Sequence, residues 1–295
     1  MPIKPTYPLN QSPLYKMGSR SKLARLLGIT LGELRNIAAG DTLYTEFDIP
    51  KKNGDGTRHV ENPRRPLKLV QAKIARLLGR IDPPDFLFCP VKRRCYVSNA
   101  AAHSGNRVVH CLDIKKFFPS TPQRRVFWFL NKVMGCERDI AALLAKIACY
   151  KGHLPTGSPL SPIMAYLAYY DLWHRISDFC KARGYTLSVY VDDVTISGVR
   201  VPERDIWEVR KMISGAGLAY HKRKRFVDRP AEITGVMVGD GKLAAPHRQH
   251  QKLHLARQEL RQCNEEDRSS LLGRIAGIGG QIRQIQAIAD KIAAK

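Results

Sequence analysis

Thr186-Leu187-Ser188-Val189-Tyr190-Val191-Asp192-Asp193-Val194-Thr195-Ile196-Ser197 reads as two short strands joined at a pair of adjacent carboxylates. Val, Ile, Tyr and Thr dominate both arms, a composition that suits a pleated, half-buried surface, and the break between them predicts a hairpin with a doubly acidic tip. Upstream, Val108-Val109-His110-Cys111-Leu112 is another short apolar strand, ending at Asp113. A twisted sheet brings strand ends together, so Asp113, Asp192 and Asp193 are candidates for one carboxylate cluster. Hard divalent ions such as Mg²⁺ are held by one or two carboxylates plus substrate phosphates. Two such ions about 4 Å apart stabilise both the attacking and the leaving oxygen of an in-line phosphoryl displacement. Taken singly, each part has a plainer reading, because Asp-Asp in a hairpin is ordinary turn chemistry and an Asp at a strand end is an ordinary cap.

The rest of the chain says what kind of partner such a cluster would serve. The 295 residues carry 49 Lys+Arg against 26 Asp+Glu, a formal charge of +23. A field this positive concentrates polyanions. Residues 1–110 are net +11 and residues 199–295 net +8, while residues 111–198, which hold the three aspartates, are only +4. A hydrophobic content of 44%, with three Trp, eleven Tyr and nine Phe, excludes a disordered basic tail. The longest apolar run, Ile163 to Tyr170, is too short to span a bilayer. Met1-Pro2-Ile3-Lys4-Pro5 lacks the apolar stretch of a signal peptide, so a cytoplasmic location is expected. Seven cysteines without a CxxC pair signal neither a disulfide framework nor a zinc site.

Element signals fill in the flanks. Ser21 is placed to cap a helix with Leu23, Leu26 and Leu27 on one face, and Thr30 to cap a second containing Leu34 and Ile37. Tyr44 to Ile49 alternates apolar and polar residues, and Lys51-Lys52-Asn53-Gly54-Asp55-Gly56 then supplies turn chemistry before Arg58-His59-Val60, which predicts a hairpin with a basic tip. Leu67, Val70, Ile74, Leu77 and Leu78 have helical spacing. Val126 to Tyr150 and Pro162 to Cys180 read as mainly helical, as does the chain past Pro246, where Leu271, Ile275, Ile278, Ile282, Ile285 and Ile292 form one apolar stripe. That stripe suits either core packing or a protein interface.

Three strings, taken together, change the weight of the plain readings. Cys111-Leu112-Asp113-Ile114-Lys115-Lys116-Phe117-Phe118-Pro119-Ser120, Leu154-Pro155-Thr156-Gly157-Ser158-Pro159-Leu160-Ser161-Pro162 and Tyr190-Val191-Asp192-Asp193 resemble, in order and spacing, motifs A, B and C of reverse transcriptases. Asn99-Ala100-Ala101-Ala102-His103 has an NAxxH pattern and Ile233-Thr234-Gly235 nearly matches a VTG triplet, and both resemble the bacterial retron branch of that family. Thr156, Tyr166 and Ile233 depart from the commoner Gln, Asn and Val. The resemblance implies an α+β polymerase right hand. It has an N-terminal helical extension (1–40), fingers (41–110), an antiparallel-sheet palm (111–240, with a helical fingers insertion at about 126–150) and a helical thumb (241–295).

The same resemblance assigns roles. Asp113, Asp192 and Asp193, with the Ile114 carbonyl, would hold two Mg²⁺ ions, or Mn²⁺. Lys52, Arg58, Ile114, Phe118, Thr156 and Gly157 would surround the incoming deoxynucleotide, with Phe118 as the steric gate against a 2′-hydroxyl, whereas Phe117 packs in the core. Lys224 falls where a residue would protonate the leaving pyrophosphate, although a phosphate-contacting lysine is an equal reading. Asn99, His103, Thr234 and Gly235 would recognise RNA, against the plainer reading of Asn99 and His103 as a cap and a core histidine. The family further implies a structured noncoding RNA as template and primer, DNA started from a guanosine 2′-hydroxyl, a separate effector protein and antiphage defence. The alternatives are another bacterial reverse transcriptase, intron-like or defence-associated, and an RNA-binding scaffold that restrains an effector.

Overall fold

The computed structural model describes residues 5–39, 43–50 and 56–293. Ser19, not Ser21, caps the first helix, α1 (Arg20–Leu27): its hydroxyl accepts from the Lys22 N–H, two residues earlier than expected. For α2 (Leu31–Ala39), Thr30 and Glu33 form a reciprocal capping box, the Thr30 hydroxyl accepting from the Glu33 N–H and the Glu33 carboxylate from the Thr30 N–H. Strands β1 (Tyr44–Pro50) and β2 (Thr57–Pro63) make the expected hairpin, followed by α3 (Arg65–Leu78), which buries Leu67, Val70, Ile74 and Leu78.

Next come β3 (Leu87–Cys89), α4 (Tyr96–Ala101), β4 (Val108–Ile114), α5 (Gln123–Trp128) and α6 (Arg138–Ala148). The helical stretch around 126–150 is therefore not continuous: a π-helical turn over Phe129–Val133 and the left-handed Gly135 separate α5 from α6. The chain continues through α7 (Ser161–Ala168), α8 (Tyr170–Lys181), β5 (Thr186–Tyr190), β6 (Asp193–Gly198), α9 (Glu203–Gly215), β7 (Tyr220–Val227), β8 (Ala231–Ile233), β9 (Val236–Gly239), β10 (Lys242–Ala244), α10 (His247–Gln262) and α11 (Glu265–Ala293).

A five-stranded sheet in the order β3-β5-β6-β4-β7 forms the centre. It is antiparallel, as expected for the palm, except at its edge, where β3 runs parallel to β5. Three residues of β3 are too few to show a period in sequence. Strand β7, Tyr220-His221-Lys222-Arg223-Lys224-Arg225-Phe226-Val227, shows no apolar alternation because it is the opposite edge and is mostly exposed; such charge on an edge discourages pairing with other chains.

The pleat sends alternate side chains to opposite faces. On one face Leu112 and Ile114 join the main core with α8 and Ile206, Val209 and Ile213 of α9. On the other, Val109 joins a smaller core with Val97 and Ala100 of α4, the sheet β10-β9-β8 and Ile285 of α11. Of the apolar stripe, Ile285 is thus core, while Leu271, Ile275, Ile278 and Ile282 are half-buried; neighbouring Leu272 is exposed. The side chain of Ile292 lies outside the described residues.

Candidate active site

Strand register assembles the carboxylates. Asp113 of β4 lies directly opposite Asp193 of β6, so both side chains leave the same face of the sheet about 5 Å apart at Cβ. Asp192 occupies the two-residue turn between β5 and β6, and the Ile114 N–H donates to the Asp192 carbonyl at 2.9 Å, which locks the end of β4 to the hairpin tip. The turn places Val191 at φ 58°, a left-handed conformation that a β-branched side chain enters only at a cost of about 1–3 kcal/mol. Strain of this kind persists where the surroundings over-determine the backbone, and here it aims Asp192 beside Asp113.

Like charges directly opposite in a sheet repel. Burial, with the neighbouring Asp192 and Asp113 charges adding to it, pushes Asp193 up to about 7, against the pull of Lys224. Asp192 is raised by burial and by Asp113, and is drawn down by Arg58, whose charge reaches it from β2. No three His, Cys, Asp or Glu side chains form a closed metal cage among the described residues. A Mg²⁺ ion does not require one, since substrate phosphates and water complete its shell. Oxygen-only donors, half-buried and mutually repelling, fit a hard divalent cation.

The other expected nucleotide contacts divide. Arg58 on β2 acts electrostatically on Asp192, as a residue over the acidic floor should. Lys52 and its neighbours lie outside the described residues. Phe118 is half-buried and stacks on Phe117 at 6.1 Å between ring centroids. Phe117 is buried, stacked on Tyr169 and edge-on to Trp173. The Phe118 ring is thus backed by a column of aromatics. Ile114 is wholly buried, so its side chain packs in the core and does not enter the site.

Thr156 and Gly157 spend their polar groups on the β1–β2 hairpin. The Thr156 hydroxyl donates to the His59 carbonyl at 2.9 Å and accepts from the Glu61 N–H at 3.2 Å, and the Gly157 N–H donates to the Glu61 carbonyl at 3.1 Å. Nearby, buried Gln71 of α3 donates to Tyr44 and to the Ile147 carbonyl and accepts from Ser158. The loop is therefore a clamp that sets where the hairpin, and Arg58 with it, sits over the carboxylates. A Cβ on Gly157 would lie 2.7 Å from the Glu61 carbonyl oxygen and 2.9 Å from Asn62 Cα, both backbone. Gly157→Ala is expected to cost about 1–3 kcal/mol and to raise the KM for deoxynucleotide more than it lowers kcat; an unchanged melting temperature and KM would show that the clamp is loose.

Asn99 and His103 correct the expectation of direct RNA contact, because both side chains are completely buried. His103 bridges the hairpin strands, with Nε2 2.7 Å from Ser188 Oγ of β5 and Nδ1 2.6 Å from Ser197 Oγ of β6, and burial holds it neutral, down to about 3. Asn99 donates to the Thr234 hydroxyl at 3.2 Å, and that hydroxyl donates to the Tyr96 carbonyl. Two strings more than 130 residues apart therefore meet under the sheet, and Thr234 and Gly235, both at positive φ, form the turn that lets them. Their burial fits positioning, with only Thr234 and Gly235 partly reachable from outside.

Lys224 lies opposite Cys111 on the Asp113 face of the sheet and acts on Asp193. Sequence reading missed His221, whose Nδ1 stands 3.5 Å from Asp113 Oδ2. The register bulge between Asp113 and Ile114 brings it there, and charge composition alone carries no such signal.

Residues 49–236 match the family described as reverse transcriptase (RNA-dependent DNA polymerase). The chain belongs to that family. It is 28% identical to the retron Ec86 reverse transcriptase of Escherichia coli over 258 residues, 84% of this chain and 80% of that one. It is 30% identical to the retron Mx65 reverse transcriptase of Myxococcus xanthus over 247 residues, 73% of this chain and 57% of that one. The retron Se72 enzyme of Salmonella heidelberg is 28% identical, again with only 53% of its own length covered. A solved foamy viral protease-reverse transcriptase in complex with double-stranded DNA aligns over 84% of this chain at a TM-score of 0.45 and 15% identity. The reverse transcriptase is thus of the bacterial retron type, an RNA-directed DNA polymerase whose central sheet is the palm. No described helix is long and apolar enough to cross a membrane.

Proposed function

We propose that this reverse transcriptase copies a dedicated structured noncoding RNA into DNA, starting from a 2′-hydroxyl of that RNA to give a branched RNA–DNA molecule, and that it serves antiphage defence with a separate effector protein. The observation that carries the polymerase chemistry is the crowding of Asp113, Asp192 and Asp193 at one end of the palm sheet beneath Arg58. Asp113 and Asp192, with the Ile114 carbonyl, would hold two Mg²⁺ ions, which when bound supply Lewis-acid stabilisation to the transferring phosphoryl group. Arg58 orients the triphosphate with a planar guanidinium suited to two phosphate oxygens. Lys224, on the same face, is placed to hand a proton to the departing pyrophosphate. On this reading the chain has an N-terminal extension (1–40), fingers (41–110), a palm (111–240) and a thumb (241–295) that would be built on α10 and α11.

Phe118 would sit under the sugar, its ring fixed by the Phe117–Tyr169–Trp173 column. Phe118→Ala is expected to raise ribonucleotide incorporation by roughly tenfold to a hundredfold in primer extension; unchanged discrimination would remove the gate assignment.

The retron reading rests on the relatives and on the Asn99–Thr234 contact that joins the two retron-like strings. Its test is to purify the protein with RNA transcribed from its flanking locus, add deoxynucleotides and Mg²⁺, and look for RNase-resistant DNA joined to RNA through a 2′-linkage. DNA made only from an added primer would favour a generic reverse transcriptase, and no DNA at all would favour a scaffold.

A further inference from the structure

The palm carries a second basic feature, at the opposite end from its carboxylates and on its other face. Arg183, Tyr185, Arg200, Pro202, Arg204 and Asp205 line an open cleft of about 540 Å³. It lies where β5 begins and β6 ends, whereas the acidic turn joins the other ends of the same strands. Five strand residues at about 3.3 Å each put roughly 17 Å between the two. The cleft also sits at the N-terminus of the 13-residue α9, where the helix dipole favours an anion.

Its charges are organised by one carboxylate. Asp205 is nearly buried and accepts from the Tyr185 hydroxyl at 2.6 Å. It is approached by Arg183 at 3.4 Å and Arg204 at 3.7 Å. Arg183 is also stacked 3.7 Å from the Phe179 ring centroid, which fixes its plane. Arg200 forms no ion pair among the described residues. Three guanidinium groups share one acid, an excess of two positive charges in a concave site.

One turn along α9 from Arg204 stands Trp207, 51% exposed, with the Lys211 ammonium 3.8 Å from its ring centroid. Arg204, Trp207 and Lys211 follow the i, i+3, i+7 spacing of one helix face. Alternating cations and an exposed aromatic ring suit a single nucleic-acid strand, whose phosphates pair with the cations while a base stacks on the ring. The open shape of the cleft suits a polymer crossing the surface better than an enclosed small molecule.

We propose that this cleft and the Arg204–Trp207–Lys211 face of α9 form an RNA-docking site separate from the polymerase cleft, taking a phosphodiester among Arg183, Arg200 and Arg204 and an unpaired base against Trp207. It rests on the reading that the polymerase holds a structured RNA, and it explains how part of that RNA stays bound while another part is copied.

The test uses the full chain and an RNA stem-loop with a single-stranded adenosine tail, not the flanking-locus RNA, so that it and the 2′-linkage assay fail independently. Phosphate contacts are sequence-independent and salt-sensitive. Arg200→Ala with Arg204→Ala, both at exposed positions, is expected to weaken binding about tenfold or more at moderate salt and to flatten the salt dependence by about two charges' worth. Extension of an ordinary annealed primer should be unchanged. Since Trp173 is buried and Trp128 half-buried, RNA should quench tryptophan emission chiefly at Trp207, and Trp207→Phe should abolish the quench. Unaltered affinity and salt slope in the double variant, or a quench that survives Trp207→Phe, would overturn the proposal. Equal protection of the wild-type quench by free ATP at the same phosphate concentration would also overturn it, in favour of a nucleotide pocket.

Discussion

Asp192→Ala is expected to abolish DNA synthesis, by on the order of a thousandfold or more, while the affinity for RNA changes little. The two halves of that expectation have different physical origins. Synthesis depends on carboxylate oxygens at the hairpin tip, where Asp192 is held beside Asp113 by the Ile114 N–H and by the strained Val191 backbone. Affinity depends on phosphate contacts spread over basic flanks of net +11 and +8, and removing one acid from a chain of charge +23 hardly alters that field. Primer extension and RNA binding measured on the same preparation check both halves. A parallel loss of RNA binding would mean that the carboxylates organise the RNA site, and retained synthesis would remove Asp192 from the metal site.

Asp193→Asn is expected to stabilise the metal-free protein at pH 8, and to do so by less than half as much at pH 5. Asp193 is raised from an ordinary carboxylate value of 3.8 to about 7 in the folded chain, so between those limits the folded state binds more protons than the unfolded state. Stability from this group is therefore fully present below about 3.8 and is lost progressively as the pH rises from there to about 7. At pH 8 the wild-type chain buries an ionised Asp193 next to Asp113 and Asp192; asparagine there removes the cost of burying that charge and, with it, the repulsion, together worth roughly 2–4 kcal/mol. Melting curves in chelator at the two pH values read it as a gap of several degrees at pH 8 that narrows by more than half at pH 5. Mg²⁺ should stabilise the wild type more at pH 8 than at pH 5. A gap independent of pH would mean that Asp193 is ionised throughout and that its neighbours do not act on it.

Local signals carried much of this protein. The β1–β2 hairpin follows from alternation and turn residues, the second capping box from Thr30 and Glu33, and the acidic tip from Tyr190-Val191-Asp192-Asp193 between two apolar arms. Helix starts were less secure: Ser19 and Ser21 are equal as side chains, and only the path of the chain decides which hydroxyl reaches an unpaired N–H. Edge elements were illegible. Strand β3 has three residues, and β7 presents charge to solvent where alternation would otherwise show.

Site residues divide along the same line. Chemistry that depends on residue type near one turn, the Asp192-Asp193 pair and the Phe117-Phe118 contrast between core ring and half-exposed ring, was present in the string of letters. Contacts across the chain were not. The Thr156 hydroxyl meets β2 nearly a hundred residues away, His103 lies between serines of two strands, and His221 reaches Asp113 through a register bulge. The cleft of Arg183, Arg200 and Arg204 likewise exists only because the two ends of the β5–β6 hairpin meet the start of α9.

By itself the sequence determined the reaction class, because metal-dependent phosphoryl transfer needs carboxylates, motifs A and C supply them in order, and the charge names a polyanionic partner. Only the tertiary structure decided which of those groups act directly and which hold others in place. Burial and register are set by residues far apart in the chain, and they alone determine whether a side chain such as His103 faces a substrate or a serine.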